Sequence, residues 1–339
     1  MAKSKFYTLR KSDLQEFIET LAKKMTVFCP VKDGNDYNFR KIKSGDKLDI
    51  GDYLNTEFPP RQMLLPEGET ILEFSRGKAE ETLPLEKAAI FGVRPCDVHA
   101  LIVLDRVMLE HDYTEAHYRK RKENTLILAL ACREACENGF CVSMGTSEIS
   151  ESFDLLFTDH GKYYHINVWS EKGQKIVNGN GRFFRPASEN AVKHEIVCKK
   201  EMNTENLRDI MLAMRESRIW DDVAKRCLSC ASCTFSCPTC YCFDIVHDSD
   251  ISDLQKGGVK RQMDYCTLPR FSRVAGGSVF REPRAERVKQ FFYHKLVYGK
   301  DNEGKFHCVG CGRCITECMA KIDITEEVRR IRDEYAKKK

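Results

Sequence analysis

The chain has 339 residues, enough for two hydrophobic cores, and its 42% hydrophobic and 31% charged residues exclude a disordered polymer. A net charge of +4 gives no general case for nucleic-acid binding, and the longest apolar run, "TLILALAC", is too short to cross a bilayer. The opening "MAKSKFYTLRKSDLQEF" is basic but lacks the apolar core of a signal peptide, so the expected location is the cytoplasm. Thiols stay reduced there, and seventeen cysteines, an odd number, then read as metal ligands rather than as a disulfide framework.

Residues 12–24, "SDLQEFIETLAKK", predict a helix opened by a Ser12–Gln15 capping box, with Leu14, Phe17, Ile18 and Leu21 on one face. "MTVFC" and the alternating "ETILEF" read as strands, and "KAAIFGV" as a buried one. "RPCD" follows directly, then the packed helix "VHALIVLDRVML", which places Cys96 in a strand-to-helix loop. "TLILALAC" is a second buried strand ending at Cys132, and "FDLLFTDHGKYYHINVW" is a hairpin turning at Asp159, His160 and Gly161. The polar, glycine-rich "SEKGQKIVNGNGRF" reads as a loop near a boundary. Beyond about residue 190 the pattern turns helical, with Leu207, Ile210, Met211 and Met214 at helical spacing and a basic, solvated tail after "TEEVRRIRDEY".

The stretch "CLSCASCTFSCPTCYC" holds six thiols in sixteen residues. Cys227, Cys230, Cys233 and Cys237 have the spacing C-x2-C-x2-C-x3-C, with Pro238 following, and Cys308, Cys311, Cys314 and Cys318 repeat it. This is the bacterial ferredoxin run, in which three close thiolates hold one [4Fe-4S] cluster and the fourth reaches the other cluster. One cluster is therefore assigned to Cys227, Cys230, Cys233 and Cys318, and the other to Cys308, Cys311, Cys314 and Cys237. The two-residue gaps let a tight loop wrap a cubane, and small residues such as Ser229, Ala231, Gly310 and Gly312 let its backbone approach closely. Zinc sites draw paired knuckles and stop at four ligands, so two runs of identical spacing argue against zinc.

About seventy residues separate the runs, an insert that a helical two-cluster domain accommodates better than a small βαβ ferredoxin. Nine Lys or Arg residues fall between Lys256 and Lys289; they read either as cations that raise cluster potentials or as a solvated helix face. Cys240, Cys242 and Cys266 read as thiols packed behind the clusters. Cys29 and Cys198 read as small buried hydrophobes.

Cys96, Cys132, Cys136 and Cys141 supply four more thiols near the ends of buried strands. The spacing alone leaves open a third [4Fe-4S] cluster or a set of buried free cysteines. No G-x-G-x-x-G follows a strand and no Walker sequence occurs, so neither flavin nor nucleotide is expected in this chain. His99 and His294 lie in helical segments and read as packed or solvent-facing. No catalytic constellation emerges.

The blocks "FGVRPCDVHALIVLDRVML", "FCVSMGT", "RCLSC…SCPTCYCF", "AGGSVFRE", "HKLVYG" and "CVGCGRC" resemble the A-type, iron–sulfur subunit of anaerobic sulfite reductase, a layout shared with the β subunits of soluble sulfhydrogenases. The resemblance runs in order from about residue 88 to 323. It implies an electron-transfer subunit that takes electrons from a flavin subunit oxidising NADH and passes them to a sirohaem subunit that reduces sulfite. It also implies the third cluster, on Cys96, Cys132, Cys136 and Cys141. Gly139 stands where the family often has a cysteine, with Cys136 as its substitute, and Met319 replaces the usual proline after the last cysteine.

The expected fold is α+β: a mixed α/β domain over residues 1–190, then a helical, ferredoxin-like two-cluster domain over residues 191–339 with a long insert. The expected function is electron relay in an NADH-dependent sulfite reductase, with Arg270, Arg273, Arg281, Arg284 and Arg287 as a partner-docking face. The alternatives are the β subunit of a soluble NiFe sulfhydrogenase and, in another class, a zinc-stabilised interaction module.

Overall fold

The computed structural model describes residues 5–43, 45–189 and 194–338. In chain order the first half runs β1 (Lys5–Arg10), α1 (Leu14–Ala22), β2 (Thr26–Asp33), β3 (Asp36–Lys41), α2 (Arg61–Leu64), β4 (Gly68–Ser75), β5 (Lys78–Glu81) and β6 (Ala88–Val93). It continues with α3 (Pro95–Leu109), α4 (Ala116–Asn124), β7 (Thr125–Leu130), β8 (Leu155–Asp159), β9 (Tyr163–Val168), α5 (Glu171–Gly179) and β10 (Arg185–Pro186). The second half carries α6 (Leu207–Ala213), α7 (Ile219–Arg226), α8 (Ser232–Phe235), β11 (Phe243–Ser249), β12 (Lys256–Met263), α9 (Arg284–Tyr293), α10 (Gly299–Asn302), α11 (Arg313–Thr316) and α12 (Ile324–Lys338).

An eight-stranded sheet of order β10-β1-β9-β8-β7-β6-β2-β3 organises the first half. Its centre, β2-β6-β7-β8, is parallel, and its flanks are antiparallel. Strands covered on both faces need apolar side chains at every position, which is why "AAIFGV" and "TLILAL" are almost wholly apolar. On one face α1 buries Leu14, Phe17, Ile18 and Leu21 against Phe157, Phe183 and Phe184. On the other, α3 sets Val98, Leu101 and Leu104 on Ile90, Ile127 and Ala129. In the second half α6, α7, α9 and α12 pack around Trp220, Phe292, Leu296 and Ile331.

Four expectations are corrected. The Ser12–Gln15 capping box does not form: Ser12 sits in a short 3-10 turn and bonds Asp13, while Gln15 accepts from the Leu48 N–H and donates to the Asp46 carbonyl, tying down a loop. The polar segment after Trp169 is largely helix α5, capped by Ser170, whose hydroxyl accepts from the Gly173 N–H. Cys96 lies inside the first turn of α3, which begins at Pro95, rather than in a loop before it. The insert between the cysteine runs is not helical throughout: β11 and β12 form a hairpin that joins β4 and β5 in a second sheet, order β11-β12-β4-β5. That sheet draws two strands from each side of the expected 190/191 boundary, which itself lies outside the described residues.

Candidate functional site: three clusters of cysteines

The two cysteine runs adopt the same backbone. In the first, Ser229 and Ala231 take left-handed φ values of 53° and 66°; at the matching places in the second, Gly310 and Gly312 take 64° and 77°. Each loop then enters a one-turn helix, α8 or α11, and these two pack on each other. The left-handed kinks turn the chain back twice within seven residues, which gathers three thiols to one side.

The runs are crossed in space. Cys227, Cys230, Cys233 and Cys318 line one cavity, with Cys314 also on its wall and Val288, Phe291, Phe292, Ile322 and Ile324 as apolar backing. Conversely Cys237, from the first run, is a near charge neighbour of Cys308, Cys311 and Cys314. Backbone N–H groups aim at sulfur, Ser229 N to Cys227 Sγ at 3.4 Å and Ile322 N to Cys318 Sγ at 3.2 Å. N–H donors of this kind are what a cluster's sulfur ligands accept from the surrounding backbone.

A second cavity, the third thiol site, is lined by Cys96, Cys132, Cys136 and Cys141, together with Arg94, Gly310 and Cys311. Cys96 and Cys132 follow the carboxyl ends of the parallel strands β6 and β7, the edge of an α/β sheet where sites collect. Cys136 and Cys141 ride the loop after β7, which is stapled to the second run. The Phe140 N–H donates to the Gly310 carbonyl (2.8 Å), and the Thr146 hydroxyl donates to the Val309 carbonyl (2.6 Å). The glycines permit this approach: a Cβ at Gly310 would stand 2.7 Å from the Phe140 backbone, and one at Gly312 would strike the Asn138 carbonyl. The second run therefore lies between the other two sites, with Cys314 on the wall of one and Cys311 on the wall of the other.

The electrostatics ask for anionic occupants. Lys295 is 1% exposed, donates to the Thr239 hydroxyl at 2.9 Å, and pairs with no carboxylate among the described residues. Burial opposes its charge, and the sulfurs of Cys237, Cys240 and Cys242 outweigh that and hold the ammonium above its ordinary value. Arg94, also buried, reaches the Leu130, Ala131 and Tyr53 carbonyls, leaves Nε without a partner, and likewise meets no carboxylate among the described residues. Burial pushes the Cys136 and Cys308 thiols up to about 12, so each stays protonated until a metal displaces its proton. A hydrogen bond from Cys240 instead draws Cys237 well below the ordinary thiol value. Thiol donors, aimed N–H groups and buried cations without counter-charges fit anionic iron–sulfur clusters.

The remaining predicted residues fall as follows. Cys240 and Cys266 are buried and Cys242 is half-buried, with Cys242 and Cys266 hydrogen-bonded to each other behind the first run. Cys29 is fully buried in the sheet core. His99 bonds the Glu148 carbonyl, and buried His294 bonds the Tyr241 hydroxyl. Arg287 is buried, its guanidinium spent on the Thr267 and Arg281 carbonyls, which removes it from any docking face; Arg270, Arg273 and Arg284 are exposed. Cys198, expected as a small buried hydrophobe, is half-buried instead, and its sulfur stands 3.8 Å from that of Cys141. A lone cysteine 57 positions away along the chain carries no spacing signal.

Residues 226–322 match the family described as 4Fe-4S dicluster domain. Over 338 residues the chain is 30% identical to sulfhydrogenase 2 subunit beta of Pyrococcus furiosus, covering 96% of this chain and 98% of that protein. The chain belongs to the sulfhydrogenase β-subunit family. No solved structure matches it. As a member of that family with a dicluster domain, it is an iron–sulfur electron-transfer protein, and the Pyrococcus relative is by its name one subunit of a larger enzyme. No helix among the described residues is long and apolar enough to cross a membrane.

Proposed function

We propose that this chain is the electron-relay subunit of a sulfhydrogenase-type complex and carries three [4Fe-4S] clusters in series. Bound clusters supply one-electron transfer; the protein's own residues hold, space and insulate them. Cys227, Cys230, Cys233 and Cys318 are the ligands of the first, Cys308, Cys311, Cys314 and Cys237 those of the second, and Cys96, Cys132, Cys136 and Cys141 those of the third. The observation that carries this reading is the position of the second run, which shares a wall with both neighbouring cavities.

The first site is where a partner docks. Cys230 is exposed while the other cysteines are buried or half-buried, and Leu228 beside it and Met319 beside Cys318 are exposed apolar residues. Arg284 reaches the Cys227 carbonyl at 2.9 Å from the solvent side, and Arg270 and Arg273 add positive charge on the same insert.

A second reading, the A-type subunit of an anaerobic sulfite reductase fed by a flavoprotein, draws support from the shared sequence blocks around Cys96, Cys141 and the two runs. Likeness to a sulfhydrogenase β subunit over almost the whole chain favours the first reading. Anaerobic purification from the native source tests both: about twelve irons per chain with a nickel-bearing partner is the expected result. A sirohaem partner would transfer the chain to the second reading, and colourless protein with stoichiometric zinc would end both.

A further inference from the structure

Lys295 occupies an unusual piece of backbone. Helix α9 runs to Tyr293, opens into a π-helical turn over His294–Tyr298, and resumes as α10. Such turns occur mostly as single insertions and often mark functional positions. Here the turn leaves the Lys295 carbonyl available to the second cysteine run, and it accepts from the N–H groups of His307 (3.0 Å) and Cys308 (3.2 Å). The side chain points to the other contributor to the same site. Its ammonium donates to the Thr239 hydroxyl, which lies 3.3 Å from the Cys237 sulfur and donates to the His307 carbonyl at 2.6 Å. One residue thus ties to both Cys237, through Thr239, and Cys308, which lie 71 positions apart, and brings there a positive charge that meets no carboxylate among the described residues.

Packing alone does not account for a lysine here. A buried ammonium without a carboxylate costs several kcal/mol unless an anion stands nearby, and a methionine would fill the space without that cost. We propose that Lys295 is the fixed cation that sets the reduction potential of the cluster on Cys237, Cys308, Cys311 and Cys314, raising it above what the thiolate cage alone would give. The inference rests on the reading that those four cysteines hold a cluster. Reduction adds one electron from the adjacent site, forms and breaks no bond and moves no proton, so it adds one negative charge. A cation in a low-dielectric interior stabilises that added charge more than it stabilises the oxidised form. Lys295 is a positioning and tuning residue, since it touches ligands and not the irons.

The test is an anaerobic potentiometric titration followed by electron paramagnetic resonance on the full-length parent, Lys295→Met and Lys295→Arg, with iron and sulfide counted in each. In Lys295→Met one midpoint moves to more negative potential while the others stay, at unchanged iron content; in Lys295→Arg that midpoint stays near the parent value. If Lys295→Met loses iron, retention of iron and of the parent midpoint in Lys295→Arg supports the same conclusion. The proposal is overturned if Lys295→Met keeps its iron with its midpoints unmoved or shifted positive. It is equally overturned if Lys295→Arg shifts as Lys295→Met does, or if both variants lose the same irons, which would make Lys295 a packing residue. Parent protein lacking the irons of that site would instead remove the cluster reading itself.

Discussion

Arg313 and Asp97 meet in a buried two-pronged ion pair, with Nη1–Oδ1 at 2.6 Å and Nη2–Oδ2 at 2.9 Å. Arg313 sits between Cys311 and Cys314, and Asp97 follows Cys96, so the pair joins the second cysteine run to the third thiol site across 216 positions of sequence. Its side chains are 2% and 0% exposed, and Arg313 also donates to the Thr56 carbonyl at 2.7 Å. Asp97→Asn leaves a buried guanidinium short of its counter-charge, and the expected cost is about 3–5 kcal/mol. Anaerobic denaturant unfolding measures that loss, and iron counting shows whether the irons of the third site go with it. A variant as stable as the parent would mean that the two units are held by other contacts.

The matched left-handed positions of the two runs make an internal control. Ala231 and Gly312 share the same kink, but only Gly312 lies against the Asn138 backbone. Gly312→Ala should therefore push the loop bearing Cys136 and Cys141 away and lose about four irons. Ala231→Gly should keep every iron and stay within about 1 kcal/mol of the parent, because relief of the strained φ and the extra chain entropy oppose each other. A Gly312→Ala variant that keeps every iron and loses only about 1 kcal/mol would show that φ, not the close approach, is what the glycine serves.

Glu69 on β4 is the hub of the second sheet's charges. Its carboxylate pairs with Arg121 of α4 and with Arg261 of β12, which is itself 2% exposed and also 3.1 Å from Glu115. Burial opposes the charge on Glu69, but the two arginines outweigh it and hold the carboxyl below its ordinary value of 4.5. A depressed carboxyl stabilises the fold fully above the unfolded value and loses that contribution as pH falls through the lower folded value. Glu69→Gln should therefore be less stable than the parent at neutral pH, with the gap closing as the medium is acidified below 4.5. Unfolding of both proteins across that range, under argon, checks the sign.

What was legible in the sequence was local. Thiols with two residues between them are easily gathered by one loop, so the grouping of Cys227, Cys230 and Cys233, and of Cys308, Cys311 and Cys314, shows in the spacing, while Cys237 and Cys318 cross to the other run. The parallel strands β6 and β7 were equally plain, because burial on both faces leaves no polar positions. Helix α5 was hidden by its glycines: Gly173 reads as a loop residue, yet it is glycine because a Cβ there would strike the Asp154 backbone of the neighbouring strand end. The hairpin β11–β12 was hidden by distance, since Arg261 finds its partner Glu69 192 positions upstream. Contacts of that kind, like the one between Cys198 and Cys141, leave no trace in any short window of sequence.

The crowding of thiols around the third thiol site sets the last test. Cys96, Cys132, Cys136, Cys141 and Cys198 are five sulfurs where a cubane offers four irons. Cys136 lines the cavity beside Arg94, is close in charge to Cys132, and has its thiol pushed up to about 12 by burial despite the pull of Arg313 and Arg94, so an iron there would displace its proton. Cys198 is absent from the residues lining the cavity and hydrogen-bonds the Cys141 sulfur, which suits a donor that strengthens one ligand without binding iron. Cys136→Ser should thus lose about four irons, as Cys141→Ser should, while Cys198→Ser keeps all of them and alters only the spectrum or potential of that cluster. The reverse pattern, full iron in Cys136→Ser and a loss in Cys198→Ser, would make Cys198 the fourth ligand. The segment bearing Cys198, beyond β10, would then have to move into the cavity to take the place of Cys136.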